Sequence, residues 1–219
     1  MCGRYIWTTT NSGKFKKLVK EPEHPYVPSY NRAPGHSHPC IFNQKGATQW
    51  DNMLWGNPKS DSSPNSFFPI NARSETVQQK PIFREAYLGG RCLIPADGWF
   101  EWQVIEGQKY PHHIYSDSGQ SFAFAGISKS INQRKVFSIL TRSASPNILH
   151  IHHRAPVALT EDYWELWLDE KQPQDSLRTL TEVSQPKWKA QQVSSRVNST
   201  RNNDPEIVNP YSGKQSLLF

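Results

Sequence analysis

Apolar residues along this chain recur mostly with a period of two, and Gly, Pro or Asn breaks the alternation at intervals of about 8 to 12 residues, as in all-β cores. Strands are predicted over Thr48 to Trp55, Arg91 to Trp102, His112 to Tyr115, Ser121 to Ile127 and Lys135 to Thr141. Helical spacing is confined to short pieces. These are Ser12 to Lys20, with Phe15, Leu18 and Val19 on one face, then Pro146 to His152, Glu161 to Leu168 behind Thr160, and Gln174 to Val183. Pro146 behind Ser145 has the chemistry of a helix start, which puts His150, His152 and His153 at a helix exit. Two polar, breaker-rich loops, 56–66 and 194–206, interrupt the pattern, but apolar runs continue on both sides of each and no repeat is present. The expected fold class is α+β: a single mixed β-barrel-like domain with short peripheral helices, spanning residues 2–219.

Composition narrows the function. The 219 residues carry 25 Lys plus Arg against 19 Asp plus Glu, a net charge of +6, with 8 Trp and 12% aromatic residues. A basic, aromatic surface suits a polyanion whose bases stack, so nucleic acid is the first partner to test. No stretch approaches the roughly 18 apolar residues of a membrane span, and no apolar run follows the first basic residue. The three cysteines, Cys2, Cys40 and Cys92, are far apart and lack any Cys-x-x-Cys spacing, which points to a reducing compartment. A cytoplasmic protein, nucleoid-associated if bacterial, is expected, with no membrane partner and a monomeric state.

Four places bear chemistry. Removal of Met1, expected because Cys2 is small, leaves Cys2 with a free α-amine. Its reference pKa near 7.7 to 8.0 gives it a free-base fraction roughly 200- to 500-fold above that of a lysine at neutral pH. The amine can attack an aldehyde, and the thiol two bonds away can close a five-membered thiazolidine onto the imine. Second, Glu101 lies in Gly98-Trp99-Phe100-Glu101-Trp102, where aromatic company disfavours the charged carboxylate and poises it for proton transfer; the alternative has Glu101 in solvent and the aromatics in the core. Third, His152 lies beside Arg154, pairing a proton carrier with a phosphate fork, or else it is a structural histidine. Fourth, Asn71 and Arg73 share one side of an extended segment. The pairs His36-x-His38, His112-His113 and His150-x-His152 resemble metal ligands but have no acidic companion motif, so no metal and no cofactor are expected. No phosphate-binding Gly-rich loop, nucleophile elbow or zinc-deaminase signature is present.

Taken in order, Met1-Cys2-Gly3-Arg4-Tyr5, Tyr30 to Gly35, Leu54-Trp55-Gly56, Ile70 to Glu75, Arg91 to Trp102 and Ile151 to Pro156 resemble the motif set of the SOS-response-associated peptidase family, the abasic-site processing proteins. The resemblance implies a domain that binds abasic sites in single-stranded DNA and captures them covalently through mature Cys2 in the DNA damage response. It further implies lyase activity, crosslink reversal and self-processing as a peptidase. It makes Cys2 the nucleophile, Asn71 the group that positions the sugar, and Glu101 and His152 the proton carriers. Arg4, Arg73 and Arg154 match phosphate-holding positions, Trp55 and Trp102 match aromatics near the DNA path, and replication-fork proteins are candidate partners. The chain departs from the family pattern in its polar stretch Asn57 to Ser66 and in His153, where an acidic residue is common.

Overall fold

The computed structural model describes residues 2–8, 15–20, 22, 26–58, 66–119, 122–183 and 185–212. Its centre is a barrel. Strands β3 (Ser37–Gln44), β4 (Ala47–Trp55), β6 (Arg91–Ala96), β9 (Phe122–Ile131) and β10 (Arg134–Ser143) run in the order β10-β4-β3-β6-β9, and β9 pairs back onto β10 to close the ring. Closure removes the open edges that an exposed sheet would present. Every residue of β6 is buried, because one face lines the barrel and α1 (Pro81–Gly89) and α2 (Glu161–Leu168) cover the other. Three short strands extend the ring: β5 (Asn71–Arg73) lies parallel to β10, β11 (Arg154–Pro156) antiparallel to β10, and β12 (Ala158–Leu159) beside β9.

A second sheet carries the chain's beginning. Its order is β13 (Trp188–Gln192), β8 (Gln108–Ser116), β7 (Gly98–Ile105), β1 (Tyr5–Trp7) and β2 (Ser29–Arg32). The expected single strand Arg91 to Trp102 is thus two strands in two sheets. The chain bends at Asp97, whose carboxylate accepts from the backbone and hydroxyl of Thr8, and resumes at Gly98, where an added Cβ would fall 2.5 Å from the His113 ring.

Three apolar clusters follow from this layout. One fills the barrel around Tyr5, Trp55, Trp99 and Phe137. Another lies between the barrel wall and the helices, including α3 (Gln174–Glu182). The third packs Val193, Val197 and Ile207 onto Ile6 and Phe100 on the outer face of the second sheet. Arg91 joins the first two layers: Nη1 donates to the carbonyls of Tyr87 and Leu88 at the end of α1, Nε to that of Trp167 and Nη2 to that of Asp169 at the end of α2. A cation there also meets the negative ends of both helix dipoles.

The expected helix Pro146 to His152 is instead a pair of overlapping turns, with Ile148 and Leu149 N–H donating to Ser145 and Ile151 and His152 N–H to Ile148. Its residues must return quickly to let Arg154 to Pro156 pair with β10, which leaves no length for a helix. Of the expected helix Ser12 to Lys20, only one turn from Phe15 falls among the described residues. Ser121, most of loop 56–66 and Met1 lie outside them, while the base of that loop is closed by Asn57 pairing with Phe68. No helix among the described residues is long and apolar enough to cross a membrane.

Candidate active site at the chain's beginning

Strand β1 has β7 on one side, with Tyr5 opposite Trp99 and Ile6 opposite Gly98, and the register continues through Phe100 N–H donating to the Arg4 carbonyl. Continued further, it brings Cys2 level with Trp102 and Gly3 level with Glu101. Cys2 is fully buried. Its carbonyl accepts from Asn71 Nδ2 at 2.9 Å, which ties the chain's beginning to β5. Asn71 Oδ1 is buried and has no partner among the described residues, so an acceptor stands ready beside Cys2.

Glu101 is 2% exposed, on β7, on the strand face opposite to Phe100 and Trp102, which pack in the outer cluster. Burial pushes its carboxyl up to about 7, against the pull of the chain's amino-terminal charge. Burial also drives the Cys2 thiol well above the usual thiol range, and the negative charge of Glu101 adds to the effect. The resting thiol is therefore protonated, with a carboxyl of near-neutral pKa in its field.

His152 and Glu101 line one cavity of about 620 Å³, together with Trp102, Val104, Lys109 and Asn198. The Arg154 backbone N–H donates to His152 Nδ1 at 2.9 Å. The Arg154 carbonyl also lies 3.1 Å from Nδ1, so one residue brackets this ring nitrogen with both a donor and an acceptor. Desolvation, the amino-terminal charge and neighbouring cationic groups lower the His152 pKa, which keeps the ring neutral at pH 7.

The structure separates the expected phosphate and stacking residues. Arg73 is exposed at the end of β5. Arg154 is buried, and its fork is occupied: Nη1 and Nη2 donate to the two oxygens of Glu75 at 2.6 and 2.8 Å, and Nη2 also to the Thr141 carbonyl. Arg4 is likewise engaged, with Asn31 Oδ1 and the carbonyls of Val197 and Asn198. Trp55, expected near the DNA path, is fully buried, stacks on Phe137 and donates Nε1 to the Ile70 carbonyl; its place at the inward end of β4 leaves no face for a base. Trp102 is partly exposed on the cavity wall. Asn31, Glu75 and Asn198 were not singled out from sequence, although Asn31 and Glu75 sit inside quoted motifs and Asn198 inside a flagged loop. Among the described residues, no three His, Cys, Asp or Glu side chains gather as a metal site.

These features define a barrel protein whose buried second residue lies in the field of a buried acid, and whose acid shares a cavity with an imidazole. The sequence matches the SOS response associated peptidase (SRAP) family over residues 1–200, and the chain belongs to that family. It is 34% identical to the abasic site processing protein YoqW of Bacillus subtilis, covering 95% of this chain and 99% of that one. It is 28% identical to the abasic site processing protein YedK of Escherichia coli (96% and 100% covered) and 31% identical to abasic site processing protein HMCES of Gallus gallus (84% and 67%). In fold it resembles a crystal structure of a Bacteroides thetaiotaomicron protein, TM-score 0.80 at 23% identity, covering 96% of this chain and all of that one.

Proposed function

We propose that this protein recognises abasic sites in single-stranded DNA and captures them covalently through Cys2 once Met1 is gone. The observation that carries the reading is the burial of Cys2 in the field of Glu101, a carboxyl near pKa 7 that lines one cavity with His152. The relatives' common designation as abasic site processing proteins supports the substrate.

A ring-opened abasic site offers an aldehyde. The Cys2 amine adds to it, and the carbinolamine loses water to give an imine. The thiol then adds across the C=N bond, its sulfur to carbon and a proton to nitrogen, closing the thiazolidine. Because burial keeps the thiol protonated, a base must take its proton as sulfur attacks, and Glu101 has the position and the pKa for this. The same carboxyl, protonated, delivers the proton that releases the carbinolamine hydroxyl and, in reversal, the one that frees the ring sulfur. His152 donates a ring N–H to a sugar oxygen; Asn71 Oδ1 accepts from a sugar hydroxyl. Phosphate contact falls to Arg73, while Arg4 and Arg154 brace the site, and Trp102 stacks with a base. From the imine, β-elimination of the 3′ phosphate gives lyase activity. Self-hydrolysis of the Met1–Cys2 bond is the peptidase activity proposed for the same site. We place the protein on exposed single strands at replication forks, as a unit of residues 2–219.

Intact mass after incubation with single-stranded DNA bearing one abasic site tests this. A species of protein less Met1, plus DNA, less one water is expected, stable to denaturation. With Cys2→Ser the imine forms but the durable ring does not, so an adduct appears only after borohydride reduction. Retention of Met1 on the crosslinked species, or an equally durable Cys2→Ser adduct, would refute the mechanism.

A further inference from the structure

The cavity that Glu101 and His152 line has two walls of different origin. The β7–β8 hairpin contributes Trp102, Val104 and Lys109, and the 3-10 turn Ser195–Asn198 brings Asn198 to the opposite side. Across the rim, Trp102 Nε1 donates to Asn198 Oδ1 at 2.8 Å. An indole N–H only donates, so the Asn198 amide is held with its oxygen toward the ring. The Asn198 backbone carbonyl meanwhile accepts from Arg4 Nη2 at 3.1 Å. One residue thus grips both the aromatic wall and the strand that carries Cys2.

The turn is itself firmly placed. Asn31 Nδ2 reaches the carbonyls of Val197, Ser199 and Asn202, Asn31 Oδ1 accepts from Arg4, and Val197 is buried against the second sheet. Arg196 pairs with Asp204 and Glu206 to close the segment on its outer side. A partly exposed tryptophan on a strand has several accessible rotamers, and ordering it on binding costs free energy. A fixed acceptor removes that cost in advance.

We infer that Asn198 is a positioning residue for strand recognition: it locks the Trp102 ring as the cavity wall, so that the base flanking the lesion stacks on an aromatic already in place. The inference rests on the proposed DNA reading and goes beyond it by giving the segment 194–203 a role in recognition.

A double-mutant cycle tests it. The probe is single-stranded DNA carrying a tetrahydrofuran analogue of the abasic site, which has no aldehyde and so reports equilibrium binding. Asn198→Ala is expected to weaken binding about fivefold, the equivalent of about 1 kcal/mol for one hydrogen bond. Trp102→Phe keeps an aromatic face but has no N–H to tether. In that background Asn198→Ala should have no further effect, because the two changes remove the same interaction. Equal effects of Asn198→Ala in both backgrounds, or none in the wild-type background, would overturn the inference while leaving the DNA reading intact. If Asn198→Ala lowers the melting temperature, Asn198→Leu, of similar shape but without an acceptor, repeats the cycle under the same two criteria. Wild-type protein that does not bind the analogue at all overturns the DNA reading, and the inference falls with it.

Discussion

Glu101→Gln should make the protein more stable, and by an amount that depends on pH. An unfolded glutamate titrates near 4.5, whereas burial raises Glu101 to about 7 in the folded protein. Below pH 4.5 the carboxyl is protonated in both states and contributes no difference. As pH rises, the unfolded chain gives up its proton first, and the fold is penalised for holding the acid where its charge is poorly solvated. By pH 8 both states are ionised and the penalty is complete. A difference of 2.5 at about 1.36 kcal/mol per pH unit amounts to about 3 kcal/mol. Glutamine keeps the shape and cannot ionise. Its advantage over glutamate should therefore grow by about 2.5 kcal/mol between pH 5 and pH 8. Urea unfolding of both proteins at the two pH values, with the same N-terminus verified by mass, measures that growth directly. Any fixed cost of burying an amide cancels in the comparison. A growth below about 0.5 kcal/mol, or a reversed sign, would show that Glu101 ionises normally in the fold, and its assignment as the proton carrier would fail with it. Crosslinking by the same variant should slow by about 10²-fold or more, the usual contribution of one positioned acid or base.

Three further outcomes are expected. Arg73→Gln should reduce the log–log salt slope of single-strand binding by about 0.7, one phosphate contact, at unchanged melting temperature; Arg154→Gln, by breaking the Glu75 pair, should instead cost about 2 kcal/mol of stability. The reverse pattern in salt titrations and melts would move the phosphate to Arg154. His38 is buried, accepts from Arg32 on Nδ1 and donates from Nε2 to the Ala33 carbonyl, and burial lowers it to about 4. Its unfolded counterpart binds a proton near 6.5, so stability is lost as pH falls through that value toward 4. His38→Gln should accordingly lose about 2 kcal/mol less than wild type between pH 7 and pH 5 in urea melts, and an equal loss would refute the neutral buried ring. His152→Gln, which retains an N–H donor, should crosslink faster than His152→Ala in single-turnover assays, and equal rates would count against hydrogen-bond donation by His152.

The sequence carries local order well and distant order poorly. Helix α2 begins and ends where its pattern says, because Glu161 and Asp162 favour a helix start and Tyr163, Trp164, Trp167 and Leu168 form one stripe. Helix α1 went unread, although Pro81 at its start and Phe83, Ala86 and Tyr87 on its buried face are helical signals; it has no side-chain cap to mark it. Strand β3 was hidden by Pro39 and by its polar ends, yet it forms a barrel wall between β4 and β6. In the candidate site, Cys2, Glu101 and His152 stood out by residue type and near neighbours, and the family resemblance, not spacing, chose the functional reading of each. The commitments of Arg4 to Val197 and of Arg154 to Glu75 were not, since those partners stand 193 and 79 residues away and only the fold brings them together. Trp55 shows the same limit from the other side: the resemblance put it near the DNA path, and only barrel closure shows it turned inward.

The position of β1 has a mechanical consequence. If the proposed crosslink forms, tension on the DNA would enter at the head of β1, and β1 is held on both edges, by β2 through Tyr5–Arg32 and Trp7–Ser29 and by β7 through Tyr5–Trp99 and Ile6–Gly98. Load along the strand shears these bonds together instead of peeling them one at a time, and the Arg4 side chain adds three more holds at the point of entry. On the proposed crosslink, a motor drawing on the DNA would meet resistance first where Asn71 of β5 holds the Cys2 carbonyl and then along both edges of β1.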